Sequence, residues 1–364
     1  MYITLDGISK EYSGFWAIDR ANMSIGREEF ISLLGPSGSG KTTLLRMIAG
    51  LERPTRGRVI IDGQDVTALP PHRRGVAMVF QEFLLFPHRT VAENLAFPLR
   101  MMKMSRSDIE ERLRWIVSLM SLDGLEDRYP NQLSGGQQQR VALGRGLVGK
   151  PKALLLDEPL ANLDRELRQE MEIEIRRHQA TLGIPFIYVT HNQEEALSMS
   201  DRIAVVRKGR IEDFAERSAV YDTPKTSFIA QFVGRSNKFD GHIAAGGTIL
   251  ETNSGLQLAL PPEGPRGIPG TPAQAFVKVE KISLSPIGDG FSPRANTLAC
   301  TVRDIILRGP QIDYILDAGS LELSVSSPRA TKLFEPGARV LAEWKPGDID
   351  VFAVASDKPV EKVA

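Results

Sequence analysis

The run Gly35-Pro36-Ser37-Gly38-Ser39-Gly40-Lys41-Thr42 satisfies the pattern G-x-x-x-x-G-K-[ST] at every fixed position. Its glycines permit tight turns and let backbone N–H groups approach anionic oxygens. A helix that follows presents its positive N-terminal end to them. In such a loop Lys41 reaches the β- and γ-phosphates of a nucleotide, and the Thr42 hydroxyl coordinates Mg2+. A Gly/Ser-rich turn that only capped a helix would not need every one of these positions.

Two further groups of residues suit the same chemistry. Leu154-Leu155-Leu156-Asp157-Glu158 places two acids where an apolar strand ends. Ligands of open α/β sheets collect at the carboxyl ends of strands. Asp157 is therefore expected to face the phosphate loop and to hold Mg2+, directly or through its water shell. Glu158 is placed to polarise an attacking water as a general base. Phe186-Ile187-Tyr188-Val189 runs into Thr190-His191, another strand end on the ligand side. His191 is expected either to bond the γ-phosphate or to orient the water.

These residues need a particular scaffold, and the sequence supplies its signals. Phe30 to Leu34 is a short apolar run that stops at Gly35, and Thr42 to Leu51 carries helical spacing through Leu44, Leu45 and Ile48. Val76 to Phe80, Ala153 to Leu156, Phe186 to Val189 and Ile203 to Val206 read as strands. Val91 to Leu125 is mostly helical, punctuated by Pro98 and Gly124, and Asp164 is a candidate cap for a helix over Arg165 to Gln179. Leu84 to Phe97 reads as an amphipathic helix packed on its own domain, unless part of its apolar surface is a partner groove. Such alternation predicts a mainly parallel sheet flanked by helices.

The character changes after about Gly234. Short strand-like runs at Ala275–Val279, Leu298–Leu307, Asp313–Leu316, Leu321–Val325 and Arg339–Trp344 are separated by turn residues, with a Pro/Gly-rich loop from Pro261 to Gly270. This predicts a small all-β barrel or sandwich.

Composition narrows the classes. The chain has 364 residues, enough for two domains. Lys+Arg and Asp+Glu are both 45, so there is no basic excess of the kind a general nucleic-acid binder carries. Cys300 is the only cysteine, which excludes an intrachain disulfide and a Cys-based metal site. Met1 to Lys10 alternates apolar and polar residues and does not read as a secretory signal. No apolar run approaches the ~18 residues of a membrane span, so a membrane role would need a partner.

One more run identifies the family. Leu133-Ser134-Gly135-Gly136-Gln137 matches LSGGQ, the signature of ATP-binding-cassette (ABC) proteins. Gln81 stands where that family has its Q-loop, Ala161-Asn162-Leu163-Asp164 resembles the D-loop, and Tyr12 fits the aromatic that stacks on adenine. The sequence thus resembles an ABC nucleotide-binding domain over residues 1–235, with a helical subdomain at roughly 88–150 inserted in a P-loop NTPase fold. The resemblance implies that Gly35, Pro36, Ser37, Gly38, Ser39, Gly40, Lys41, Thr42 and Thr43 wrap the phosphates of ATP. It implies Mg2+ held by Thr42, Gln81 and Asp157, and hydrolysis carried by Glu158, His191, Lys41 and Gln81. It also implies a head-to-tail dimer in which Ser134, Gly135, Gly136, Gln137 and Asp164 of one copy close over the ATP of the other.

Three residues depart from the family pattern. Asn192 follows the switch histidine where importer members usually have Asp, and Gly144 and Gly146 stand where Ala is common. Helix-interior Gly costs roughly 1 kcal/mol relative to Ala, which predicts a looser helix after the signature.

Residues 236–364 resemble the OB-like TOBE domain of importer ATPases of the maltose, glycerol-phosphate, polyamine and ferric-iron type. Val220 to Gly234 and Leu85 to Asn94 match segments of those proteins. The resemblance implies an ATPase at the cytoplasmic face of the inner membrane, working with two transmembrane permease subunits and indirectly with a solute-binding protein. The wording of Val76 to Arg100 leans toward the polyamine and iron branch over the sugar branch. A soluble ABC ATPase without a membrane partner, and a motor with an added regulatory ligand role in the C-terminal domain, are the alternatives.

Overall fold

The structure is a computed structural model and describes residues 1–261, 269–287, 295–329 and 333–354. Of the Pro/Gly-rich loop expected from Pro261 to Gly270, residues 262–268 lie outside the described residues. The chain divides into two compact units, Met1–Val220 and Tyr221–Ala364.

The first unit contains β1 (Ile3–Tyr12), β2 (Phe15–Ile25), β3 (Phe30–Leu34), α1 (Lys41–Ala49), β4 (Arg56–Ile61), β5 (Gln64–Asp65) and β6 (Val76–Val79). It continues with α2 (Val91–Met101), α3 (Arg106–Leu119), α4 (Gly135–Leu147), β7 (Ala153–Asp157), α5 (Arg165–Leu182) and β8 (Phe186–Thr190). It closes with α6 (Gln193–Met199), β9 (Arg202–Arg207) and β10 (Arg210–Glu216), and α7 (Arg217–Asp222) runs across the division. A six-stranded sheet has the order β10-β9-β3-β8-β7-β6, parallel except for β10. A second, antiparallel sheet has the order β2-β1-β4-β5.

The continuous apolar runs at β3, β7 and β8 follow from burial on both faces, since every residue of these three strands is buried. Alternate side chains feed two different cores. Phe30, Leu154, Leu156, Phe186 and Tyr188 join the core built with α2 to α5. Ile31, Leu33, Ala153, Leu155, Ile187 and Val189 join the core built with α1 and the antiparallel sheet. Burying such a side chain contributes roughly 1.5–3 kcal/mol, so both layers pin the strand ends that carry the polar residues.

Two local expectations are corrected. The segment read as one amphipathic helix from Leu84 to Phe97 is a loop up to Thr90, and α2 starts at Val91. The start is fixed by a capping box, with Thr90 N donating to Glu93 Oε2 at 3.0 Å and Glu93 N donating to Thr90 Oγ1 at 3.3 Å. Pro98 lies inside α2 rather than ending it. Gly144 and Gly146 also serve packing. A Cβ at Gly144 would sit 2.9 Å from Leu95 Cδ2 and 3.1 Å from Met120 Cγ, and one at Gly146 would sit 3.2 Å from Leu154 Cδ1. Both glycines let neighbouring side chains close on the helix.

The second unit holds α8 (Ser227–Phe232), β11 (Ser236–Ile243), β12 (Ile249–Thr252), β13 (Gln257–Ala259), β14 (Pro272–Lys278) and β15 (Ser283–Pro286). It also holds β16 (Thr297–Arg308), β17 (Gln311–Ala318), β18 (Leu321–Pro328), β19 (Arg339–Glu343) and β20 (Ile349–Ala353). They form two five-stranded antiparallel sheets, β13-β12-β11-β14-β20 and β15-β19-β16-β17-β18. The sheets share one core, in which Phe239 of the first stacks on Trp344 beside the second at 5.9 Å. Cys300 is buried in it, and burial pushes its thiol up to about 11, so it is an inert core residue.

Candidate functional site

The loop Gly35–Thr42 leaves β3 and enters α1, and two of its glycines, Gly35 and Gly40, stand where neighbouring backbone comes too close for a side chain. Gly40 has φ +107°, and a Cβ there would meet the Ala17 carbonyl and Ile18 Cδ1 at 2.6 Å. A Cβ on Gly35 would overlap the Val206 carbonyl. The loop is tied from outside by Gly209 N, which donates to Ser39 O at 2.9 Å. Lys41 is buried, and its Nζ donates to the carbonyls of Gly35 at 2.7 Å and Pro36 at 2.9 Å. Burial pushes its ammonium down in pKa, and the Glu158 and Asp157 carboxylates pull it back up. The Ser39 hydroxyl is buried with no hydrogen-bond partner among the described residues.

Thr42 Oγ1 donates to Asp157 Oδ1 at 3.0 Å, which brings the first turn of α1 to the end of β7. Burial raises the Asp157 carboxyl, and the Thr42 bond with the positive charge of Arg46 and Lys41 opposes the rise. A hydroxyl and a carboxylate side by side are hard oxygen donors of the kind Mg2+ takes, and that ion keeps few protein ligands beside substrate phosphates. The residues fit the ion.

Glu158 follows Asp157 in the left-handed region at φ +46°, with its N–H donating to Val189 O at 3.1 Å. Its Oε2 lies 3.1 Å from His191 Nδ1. Since β7 and β8 are neighbouring parallel strands, their carboxyl ends deliver both side chains to one edge. His191 is exposed, whereas the strand end beneath it is tightly bonded: Thr190 Oγ1 and Tyr188 OH both donate to buried Glu195.

Gln81 is exposed and lies two residues beyond Val79, the end of β6, which pairs with Leu156 of β7. Tyr12 ends β1 at the turn into β2, 42% exposed, with Lys10 Nζ 4.8 Å from its ring centroid. The same hairpin touches the phosphate loop through Ala17 and Gly40.

A residue that sequence reasoning missed holds the segment after Gln81. Phe83 and Leu84 both have positive φ, 44° and 48°. Each such non-glycine residue costs roughly 1–2 kcal/mol. Arg145, on α4, donates from Nη2 to Phe83 O and from Nη1 to Leu84 O, both at 2.9 Å. Hydrogen bonds from a charged donor contribute about 1.5–3 kcal/mol, enough to offset that strain. Asn94 fastens the far end of the loop through Phe86, Arg89 and Thr90. No short motif marks Arg145; a single basic residue in a helix is an ordinary sight.

Ser134, Gly135, Gly136 and Gln137 open α4. Ser134 and Gln137 form a reciprocal capping box at 2.9 and 3.3 Å. Ser134 and Gly135 are exposed, while a Cβ on Gly136 would meet Leu167 Cδ1 at 2.8 Å. Asp164 caps α5, its Oδ1 accepting from Leu167 N at 2.9 Å. The signature and the Asp164 turn are therefore neighbours in one chain. No hydrogen bond among the described residues joins them to Gly35–Thr43. Most of the sequence-predicted residues fall into two groups: a phosphate-loop group with Asp157, Glu158 and His191, and a signature group in which Ser134, Gly135 and Asp164 are exposed.

The chain is similar to known proteins in sequence and fold. A family model described as ABC transporter matches residues 18–161, and one described as TOBE domain matches residues 276–352. The chain is 43% identical over 349 residues to the spermidine/putrescine import ATP-binding protein PotA of Rubrobacter xylanophilus, covering 94% of this chain and 91% of that one. It is 44% identical over 374 residues to the protein of the same name from Acidothermus cellulolyticus, covering 99% and 96%. Among solved structures, the dimeric post-hydrolysis state of the ATP-binding cassette MJ0796 bound to ADP and Pi matches with TM-score 0.53 and 32% identity, over 59% of this chain and 98% of that one. CbiO1 from Clostridium perfringens, part of the ABC transporter complex cbiONQ, matches with TM-score 0.56 and 30% identity, over 60% and 90%.

Proposed function

The chain belongs to the ABC transporter ATPases, a cassette followed by a TOBE domain, and from that premise we propose how its residues drive uptake and of what. It is the ATP-hydrolysing motor subunit of an ABC importer. The solute is a polyamine of the spermidine/putrescine class, a reading supported by two relatives so named that align over more than nine-tenths of this chain. This narrows the polyamine and ferric-iron lean of the sequence to its first branch.

Gly35–Thr43 cradle the triphosphate, with Tyr12 against the adenine. Thr42, Asp157 and Gln81 would hold Mg2+, which would offset charge on the β- and γ-phosphoryl oxygens. Glu158 takes a proton from the attacking water as its oxygen bonds to the γ-phosphorus and the bond to ADP breaks. His191 keeps the Glu158 carboxylate turned to that water. Lys41 balances charge spreading over the transferring phosphoryl group. The observation that carries this reading is the 3.1 Å contact of Glu158 and His191 at the strand end beside the bonded Thr42 and Asp157.

Two copies pack head to tail, so that Ser134, Gly135, Gly136, Gln137 and Asp164 of one close on the phosphates held by the other. The exposure of Ser134, Gly135 and Asp164 and the dimeric cassette structure bound to ADP and Pi support this arrangement. Permease subunits supply the membrane path, since no helix among the described residues is long and apolar enough to cross a bilayer. The motor sits peripherally at the cytoplasmic face. Uptake of radiolabelled spermidine, putrescine and ferric iron in a strain lacking the chain, with and without the gene restored, tests the solute. Loss and recovery of polyamine uptake is expected; loss of iron uptake alone would overturn the assignment.

A further inference from the structure

Behind the Glu158–His191 pair lies a polar cluster that does no phosphate chemistry. Glu195 is only 4% exposed. Its Oε2 accepts from Tyr188 OH at 2.7 Å and Thr190 Oγ1 at 2.6 Å, and its Oε1 accepts from Asn192 Nδ2 at 3.2 Å. Asn192 N in turn donates to Thr190 Oγ1 at 2.9 Å. Arg168 Nε stands 3.8 Å from Glu195 Oε1, while Arg168 Nη2 donates to Leu163 O at 2.9 Å. Glu158, His191, Arg168 and Glu195 all line a cavity of about 50 Å3.

Glu195 is buried while Arg168 is half-buried, and an ion pair of this kind contributes little net stability over an apolar cluster of the same shape. What it does supply is fixed geometry, because a buried carboxylate tolerates few arrangements of its donors. Here the fixed elements are Thr190 to Asn192, which flank His191, and Leu163, in the turn ending at Asp164. Asn192 offers Glu195 an N–H donor at this position.

We propose that Glu195, with Arg168, is a positioning residue that holds His191 against Glu158 and ties that pair to the Leu163–Asp164 turn. The proposal rests on the reading of Glu158 and His191 as the hydrolytic pair. The test uses the full-length chain and the variants Glu195→Gln, Glu195→Ala, Arg168→Ala and the double Arg168→Ala/Glu195→Ala. Turnover of Mg-ATP, ATP affinity, melting temperature and the His191 imidazole NMR resonances, assigned with His191→Gln, are read for each. Expected are a tenfold or greater fall in kcat for Glu195→Ala with ATP Kd within twofold, and a smaller fall for Glu195→Gln, which keeps an oxygen for the two hydroxyls. The His191 resonances move in every variant, and the double variant is no slower than the worse single one. Glu195→Gln decides the question if Glu195→Ala does not fold. Unmoved His191 resonances, or kcat within twofold of wild type in Glu195→Gln and Arg168→Ala alike, would overturn the proposal. That result beside an inactive Glu158→Gln leaves the hydrolytic reading standing, whereas an active Glu158→Gln removes the reading and the proposal with it.

Discussion

Glu158 Oε2 and His191 Nδ1 lie 3.1 Å apart although 33 residues separate them in the chain. Two adjacent parallel strands end at the same level and carry the acid and the imidazole to one edge. An exposed His191 can meet a phosphate from outside, while the less exposed Glu158 is held toward the sheet.

Glu158→Gln keeps the shape and removes the base. Turnover should fall by roughly 10²–10⁴-fold, with ATP bound as tightly as before. ATP should then hold two copies together, giving a dimer on size exclusion that the wild type does not accumulate. Ordinary phosphate release by this variant would rule out Glu158 as the base.

Ser134→Arg places a long cation at the exposed N-terminus of α4. Each copy should still bind ATP at its own phosphate loop, while turnover drops by at least tenfold and the ATP-dependent dimer is lost. An unchanged hydrolysis rate would show that Ser134 does not close on a partner's nucleotide.

Gly144→Ala sets two effects against each other. Helix propensity favours Ala by roughly 1 kcal/mol. The new Cβ meets Leu95 and Met120 at 2.9 and 3.1 Å, and overpacking of this sort costs typically about 1–3 kcal/mol. Net destabilisation is expected on chemical denaturation; a more stable variant would show that α2 and α3 yield freely.

Arg145→Ala removes both bonds that hold the Phe83 and Leu84 carbonyls. Hydrogen exchange should rise tenfold or more over Gln81–Thr90 and stay near wild type in β7 and β8. Equal protection of the loop in both proteins would sink the clamp.

Burial pushes the Asp350 carboxyl up to about 6, against the pull of Lys278. The native state therefore binds a proton more tightly than the unfolded chain. Its contribution is most favourable below the unfolded value near 3.8 and declines as pH rises toward about 6. Asp350 is only half-buried, so solvent screens part of the effect; Asp350→Asn should remove that decline, making the second unit more stable than wild type above pH 6 by on the order of 1 kcal/mol. Melting curves at pH 4.5 and 7.5 check this, and parallel shifts in both proteins would contradict it.

The amino-acid sequence determined what is local. Eight consecutive residues specify the phosphate loop, apolar runs bounded by Gly or acids specify buried strands, and Asp164 and Ser134 are helix caps legible from side-chain type. It also carried the family, because LSGGQ is a contiguous run. Tertiary structure decided what meets across the chain. The Thr42–Asp157 bond spans 115 residues, and Arg145 reaches back 61 and 62 residues to a strained turn. Arg168 and Glu195 join two segments that no spacing rule connects. Such contacts follow from strand order and from which helix packs over which edge, and those depend on burying many side chains at once. The loop from Leu84 to Thr90 and the close packing at Gly144 were illegible for the same reason, since propensity describes one residue's backbone and not the neighbours that press on it.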